Sequence, residues 1–89
     1  MIDGKTQNET LTRLKKIEGQ IKGVEKMIES KKYCIDIINQ IRAVRGALDV
    51  LALQVMRNHI NSCVSEAIRK GSNNSTVDEL METIYRFVK

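Results

Sequence analysis

The sequence predicts an all-α fold, a three-helix protomer with a long central helix. Three observations lead there. The 89 residues contain no proline. Apolar residues recur at steps of three and four along most of the chain, the signature of helices with one buried stripe. Only Tyr33, Tyr85 and Phe87 are aromatic, so the apolar material is mainly Ile, Leu, Val, Ala and Met, a mixture suited to helices packed on helices. A single domain spanning 1–89 buries only a modest share of its surface when alone, and oligomerisation is a natural way to enlarge so thin a core.

The elements follow in order. Residues 1–7, "MIDGKTQ", are polar and are expected to be mobile. Leu11, Leu14, Ile17, Ile21, Val24 and Ile28 then mark one stripe on a helix from Asn8 to Glu29, with Glu18 and Lys22 spaced for an i,i+4 ion pair. Gly19 and Gly23 interrupt its propensity and suggest the approach of another backbone. "SKKY" is a polar break. A second pattern runs from Tyr33 to Lys70, with Ile37, Ile41, Val44, Leu48, Leu51 and Val55 in heptad-like rhythm and Ile38, Ala52, Met56 and Ile60 widening the stripe. A helix apolar over so wide an arc buries more than one face, and the simplest second partner is another copy of itself. Gly71 suits the stop after Arg69 and Lys70. Ser75 or Thr76 is positioned to cap a short third helix, with Thr76 and Glu79 spaced as a capping box.

The net charge is +4, from 15 Lys and Arg against 11 Asp and Glu, which permits a polyanionic partner without requiring one. No apolar run of about 18 residues and no signal-peptide pattern is present. Together with two cysteines this points to a soluble cytoplasmic protein with no membrane partner. A Cys34–Cys63 disulfide stays open on the sequence, although a lone staple is out of place in a reducing cytosol. No HExxH, CxxC, Walker or glycine-rich nucleotide motif appears. An enzyme acting on a small-molecule substrate would lack a base, a nucleophile pair and a cleft.

The chemistry-bearing residues are His59, Cys63 and Cys34. His59 and Cys63 stand at i,i+4 on one helix face and suit a shared ion. Cys34 lies 25 residues before His59, roughly 37 Å away on an unbroken helix, so one chain cannot close the site. Two antiparallel copies can, with the two-fold axis near residues 47 and 48, where Gly46 and Ala47 in "RGAL" allow close approach. Symmetry then gives two equivalent sites per dimer. Two thiolates and one imidazole suit three-coordinate Cu(I), whereas zinc wants a fourth ligand. The competing reading is ordinary packing, since a free cysteine is commonly a small buried hydrophobe. Met27, Met56 and Met81 sit at core spacing and read as packing.

"RLKKIEGQIKGVEKMIE", "YCIDIINQIRAVRGAL" and "HINSCV" resemble the copper-sensitive operon repressor family of bacterial regulators, over nearly the whole chain from Leu11 to Ile84. The resemblance implies an antiparallel dimer, a tetramer built from two dimers, and a repressor without a helix-turn-helix. It implies that the apo tetramer binds operator double-stranded DNA and releases it on binding its inducer. Cys34, His59 and Cys63 fall on the family's Cu(I) pattern, and Tyr33 and Glu79 match the pair that in the copper branch hydrogen-bonds toward the histidine. Nickel and cobalt sensors carry extra histidines, absent from "MIDGK" here, formaldehyde sensors have a proline at position two where Ile2 stands, and persulfide sensors lack the histidine. The DNA-binding patch carries over to Arg13, Lys15 and Lys16, with Lys22, Arg42 and Arg45 as further candidates on the same broad face. The expected function is a copper(I)-responsive transcriptional repressor. The alternatives are a thiol-based repressor sensing reactive sulfur through Cys34 and Cys63, and a copper-binding protein without DNA regulation.

Overall fold

The computed structural model of the chain describes residues 1–71 and 74–88, and among them there are helices and turns but no strand. Helix α1 spans Gly4–Glu29, α2 Cys34–His59, a π turn Ile60–Val64, α3 Ser65–Arg69 and α4 Asn74–Val88. Because α2, the π turn and α3 follow without a gap, the described chain is three helical rods. The central rod occupies the span expected between Tyr33 and Lys70.

α1 begins at Gly4 rather than Asn8, so residues 4–7 belong to the helix. Asp3 is the cause. Its Oδ1 accepts from the Thr6 N–H at 2.7 Å, and its carbonyl accepts from the Gln7 N–H at 2.9 Å, which satisfies donors that a helix start leaves open. The other end closes in a Schellman motif: Lys32 N–H donates to the Met27 carbonyl at 3.0 Å and Lys31 N–H to the Ile28 carbonyl at 3.1 Å. Lys31 takes the left-handed conformation this requires, at φ 55°.

Gly71 ends the central rod as expected, at φ 79°, with its N–H on the Ile68 carbonyl at 3.1 Å. The expected caps Ser75 and Thr76 instead lie inside the first turn of α4, which is already helical at Asn74. Its cap position falls at residue 73, outside the described residues, and Thr76 and Glu79 form no capping box. Glu18 and Lys22 do not make the ion pair their spacing allows. Both are exposed, where such a pair gains little over hydration.

α1 and α2 lie antiparallel and share the main packing line. Ile17 is fully buried, with Leu14, Val24 and Met27 half-buried along the same side of α1. On α2 the half-buried line is Ile37, Val44, Ala47 and Leu51. Ile38, Ile41, Leu48 and Val55 form a second apolar line on α2 that stays open, so the wide arc divides into one face used within the chain and one left over. The molecule measures 57 × 28 × 12 Å, and its thinnest dimension is one helix diameter, about 10–12 Å. Its radius of gyration is 17.3 Å, against about 12 Å for a compact domain of this length. Its surface is 7123 Å², against about 5,300 Å² for a folded monomer of this mass. A single layer of helices this thin encloses little interior and leaves the second apolar line of α2 open. Nothing lies within 4 Å of where a Cβ on Gly19, Gly23 or Gly46 would sit. The backbone approach expected at Gly19 and Gly23 therefore does not occur within the chain.

Candidate metal centre

His59 is the last residue of α2 and Cys63 lies in the π turn that follows. The π turn is held by an i→i+5 bond from the Ser65 N–H to the Ile60 carbonyl, reinforced by Ser65 Oγ on the same oxygen at 3.0 Å. Ser62 Oγ donates to the Asn58 carbonyl at 2.8 Å. In a regular α-helix residues four apart are out of line by about 40°. The π turn changes the rotation between the two positions relative to a regular α-helix, and such turns recur at functional sites.

Both side chains are half-buried and share a small cavity with Met1, Ile2, Val55 and Asn58. The Met1 ammonium donates to Cys63 Sγ at 2.7 Å, and Ser62 Oγ lies 3.7 Å from the same sulfur. These hydrogen bonds, that of Met1 first and that of Ser62 second, hold the Cys63 thiol below its ordinary value against an opposing effect of partial burial. The thiolate is the form that binds metals. The return of residues 1–3 to this cavity was not expected. Asp3 Oδ2 anchors it at the cavity edge by accepting from Asn58 Nδ2 at 2.7 Å, a pairing that no periodicity reveals.

Cys34 is exposed at the opposite end of α2. Cys34 and His59 are the two ends of one unbroken 26-residue helix, so the separation is about 37 Å. Two of the three predicted ligands are thus brought together and the third is not. Among the described residues no group of three His, Cys, Asp or Glu side chains assembles within the chain. Tyr33 precedes Cys34 as the cap residue of α2 and is 69% exposed. Glu79 of α4, by contrast, lines the same groove as His59, together with Leu48, Met56, Leu80 and Phe87. Met56 contributes apolar wall there, whereas Met81, read as packing, is 43% exposed.

All six predicted basic residues are exposed, and those on α1 fall on more than one face. Arg13 and Lys16 line a cleft between α1 and α2 with Asn8, Glu9, Thr12 and Gln54. Arg13 also borders a second hollow with Val50, Leu53, Gln54 and Arg57. Lys15, Lys22, Arg42 and Arg45 line neither. The reason on α1 is rotation: at 100° per residue, Lys15 and Lys22 point roughly opposite to Arg13. Arg57, which the sequence did not single out, joins Arg13 through the packing of α1 on α2.

Residues 6–86 match the family described as metal-sensitive transcriptional repressor. The copper-sensing transcriptional repressor CsoR of Bacillus subtilis is 38% identical over 85 residues, covering 96% of this chain and 84% of that protein. The crystal structure of the copper-sensing repressor CsoR with Cu(I) from Geobacillus thermodenitrificans superposes with a TM-score of 0.92 at 43% identity, covering 100% of this chain and 93% of that one. The nickel-responsive transcriptional regulator InrS superposes with a TM-score of 0.79 at 36% identity, covering 90% of each chain. On the family match and these likenesses together, the chain belongs to the metal-sensitive transcriptional repressors.

Proposed function

We infer that this chain is a copper(I)-responsive transcriptional repressor, regulatory rather than catalytic, which binds operator DNA when metal-free and releases it when Cu(I) binds. The observation that carries the reading is the split donor set: His59 and Cys63 at one end of an unbroken helix, Cys34 at the other. Antiparallel pairing of two central rods about an axis beside Gly46 and Ala47 sets Cys34 of one protomer against His59 and Cys63 of the other. Two sites per dimer result from the symmetry. A sulfur held toward thiolate beside an imidazole fits a soft to borderline ion, and when bound Cu(I) supplies a cross-link between protomers through two thiolates and one nitrogen. Two relatives named or solved as copper-sensing repressors support the choice of metal.

In this pairing Tyr33 travels with Cys34 to the site of the other protomer, while Glu79 lies in the groove of its own His59. The two residues that the resemblance places around the histidine therefore come from different chains. The open apolar line of α2 supplies the dimer contact, two dimers form the tetramer, and the cytoplasm is its compartment. Phosphate contacts come from Arg13, Lys15 and Lys16, extended by Lys22, Arg42, Arg45 and Arg57. For copper to release DNA it must bind the weak-DNA state more tightly, and DNA must then weaken copper binding by the same factor.

The test is a titration of the reduced protein with Cu(I) in the presence of labelled DNA from upstream of its own gene, read by fluorescence anisotropy. Release at stoichiometric Cu(I) is expected, and DNA still bound at saturating copper would sink the reading. A thiol-sensing repressor is the second reading. It is favoured by the lowered Cys63 thiol, since a thiolate is also the reactive form toward sulfur species. Release by polysulfide but not by Cu(I) would select it.

A further inference from the structure

Two side-chain amides on α2 are clamped by two carboxylates at the start of α1. Asn58 Nδ2 donates to Asp3 Oδ2 at 2.7 Å, and Gln54 Nε2 donates to Glu9 Oε2 at 3.1 Å. A carboxylate only accepts, so each amide must turn its NH₂ toward it. Asn58 Oδ1 and Gln54 Oε1 are left buried without a hydrogen-bond partner. Native proteins rarely leave such groups unpaired, and each instance calls for an explanation. Asn58 is itself only 7% exposed. An apolar residue at either position would pack without that penalty.

The position of Asn58 supplies the explanation. It immediately precedes His59, and its carbonyl receives Ser62 Oγ at 2.8 Å, the hydroxyl that lies 3.7 Å from Cys63 Sγ. On the other side, Asp3 Oδ1 accepts from the Thr6 N–H at 2.7 Å, so the carboxylate that holds Asn58 also caps α1. Glu9 and Gln54 in turn form part of the cleft that holds Arg13 and Lys16. The two clamps thus lie in series along α1 and α2, between the His59/Cys63 end of the central rod and the cleft lined by Arg13 and Lys16. The orphaned oxygens lower the advantage of the closed clamp over an open one in which both amides are hydrated. That narrows the gap between two arrangements, the property a switch element needs.

We propose that Asp3 and Asn58 form a positioning pair that couples the His59/Cys63 end of α2 to the first turns of α1, so that inducer binding is read out at Arg13 and Lys16. The proposal rests on the copper-repressor reading. Neither residue touches the metal or the DNA; the pair acts by setting where α1 lies.

The experiment compares wild type, Asn58→Asp, and the exchanged pair Asp3→Asn/Asn58→Asp. The single change places two carboxylates face to face. The exchange restores one hydrogen bond with donor and acceptor reversed, and it keeps the same aspartate beside His59, so any direct effect of that charge on copper is present in both variants. The first readout is amide hydrogen exchange over residues 4–10 of the apo protein. Asn58→Asp should speed it by about fivefold, the effect of losing one hydrogen bond, and the exchanged pair should return it toward wild type. The second is the factor by which Cu(I) weakens DNA binding, typically 5–150-fold in coupled systems. It should shrink in Asn58→Asp and recover in the exchanged pair. Asp3→Ala, at the chain terminus and away from Ile17, repeats the loss if Asn58→Asp fails to fold. A normal wild-type response with an equally normal Asn58→Asp response overturns the pair alone. Failure of the exchanged pair to recover also overturns it. A wild type that keeps its DNA at saturating Cu(I) overturns the repressor reading, and the coupling role falls with it.

Discussion

Cys34 and His59 are the first and last residues of one α-helix. Helical rise holds them about 37 Å apart, a spacing no side-chain motion can close. The same rigidity that separates the donors within a chain brings them into register between chains, because antiparallel rods of equal length present opposite ends to each other. Mixed dimers that pair Cys34→Ala chains with His59→Ala/Cys63→Ala chains should therefore keep one intact site and leave the other without ligands. Copper stoichiometry measured with a competing Cu(I) chelator should fall to half of wild type. Full binding by either variant alone would rule out the shared site.

The cap on α1 should have an acid signature. The Asp3 carboxyl is held below the usual aspartate value, chiefly by hydrogen bonds to Thr6 and further by Asn58 and the Lys5 charge, with partial burial opposing. A carboxyl whose folded value is depressed stabilises the fold fully above its unfolded value, and that stabilisation is lost as pH falls through the folded value. The melting temperature of wild type should exceed that of Asp3→Ala by a constant margin between about pH 7 and pH 5. The margin should close as pH drops below about 4, the ordinary aspartate value. Circular dichroism melts across that range measure it, and a margin unchanged at about pH 2 would assign the stabilisation to something other than the carboxylate.

The separation of the basic residues turns one expected patch into two testable sets. Arg13, Lys16 and Arg57 gather around the α1–α2 clefts, while Lys15 and Lys22 project from the far side of α1. Removing one cation from a phosphate flattens the dependence of log affinity on log salt by about 0.9. Replacing Arg13 and Lys16 with Ala, a cleft-side pair, should flatten that slope more than replacing Lys15 and Lys22, an equal number of cations, and copper affinity should stay near wild type in both. Equal slopes for the two variants would show that DNA spans both faces, and a slope lowered only by Lys15→Ala/Lys22→Ala would move the interface to the other side.

What could be read from the chain, and what could not, follows from the range of each interaction. The central rod was legible because Ile37, Val44 and Leu51 repeat at seven residues and nothing between Tyr33 and Lys70 breaks a helix. Gly71 was legible because a left-handed stop favours glycine. The start of α1 was missed because Gly4 to Gln7 carry no apolar stripe, and its cap depends on one carboxylate. The π turn had no signal: Ser62 and Ser65 bond back to the Asn58 and Ile60 carbonyls, an arrangement that two serines permit but do not announce. The pairing of Arg13 with Arg57, and of Asp3 with Asn58, required the register of α1 on α2. The candidate ligands were visible as residue types and spacing. The cavity that Met1 and Ile2 form over His59 and Cys63 was not, because it depends on a contact between residues more than fifty positions apart.

His59 separates copper from sulfur chemistry. Cys34 and Cys63 serve either one, as two thiolate ligands or as two reactive thiols, so replacing them removes both responses and distinguishes nothing. The imidazole has a role only with the metal, where it must be neutral to donate its lone pair. It sits half-buried at the end of α2, sharing a cavity with Cys63 and a groove with Glu79. His59→Ala should lower Cu(I) affinity or abolish copper-driven DNA release while leaving thiol oxidation and apo DNA binding intact. Because the side chain lines open hollows rather than the core around Ile17, the variant should fold, which thermal melting verifies. X-ray absorption on the wild type should show two sulfurs and one nitrogen around copper, with the nitrogen missing in the variant. Normal copper-driven release by His59→Ala would remove the imidazole from the mechanism. A wild type that answered only to polysulfide would transfer Cys34 and Cys63 to the thiol-sensing reading.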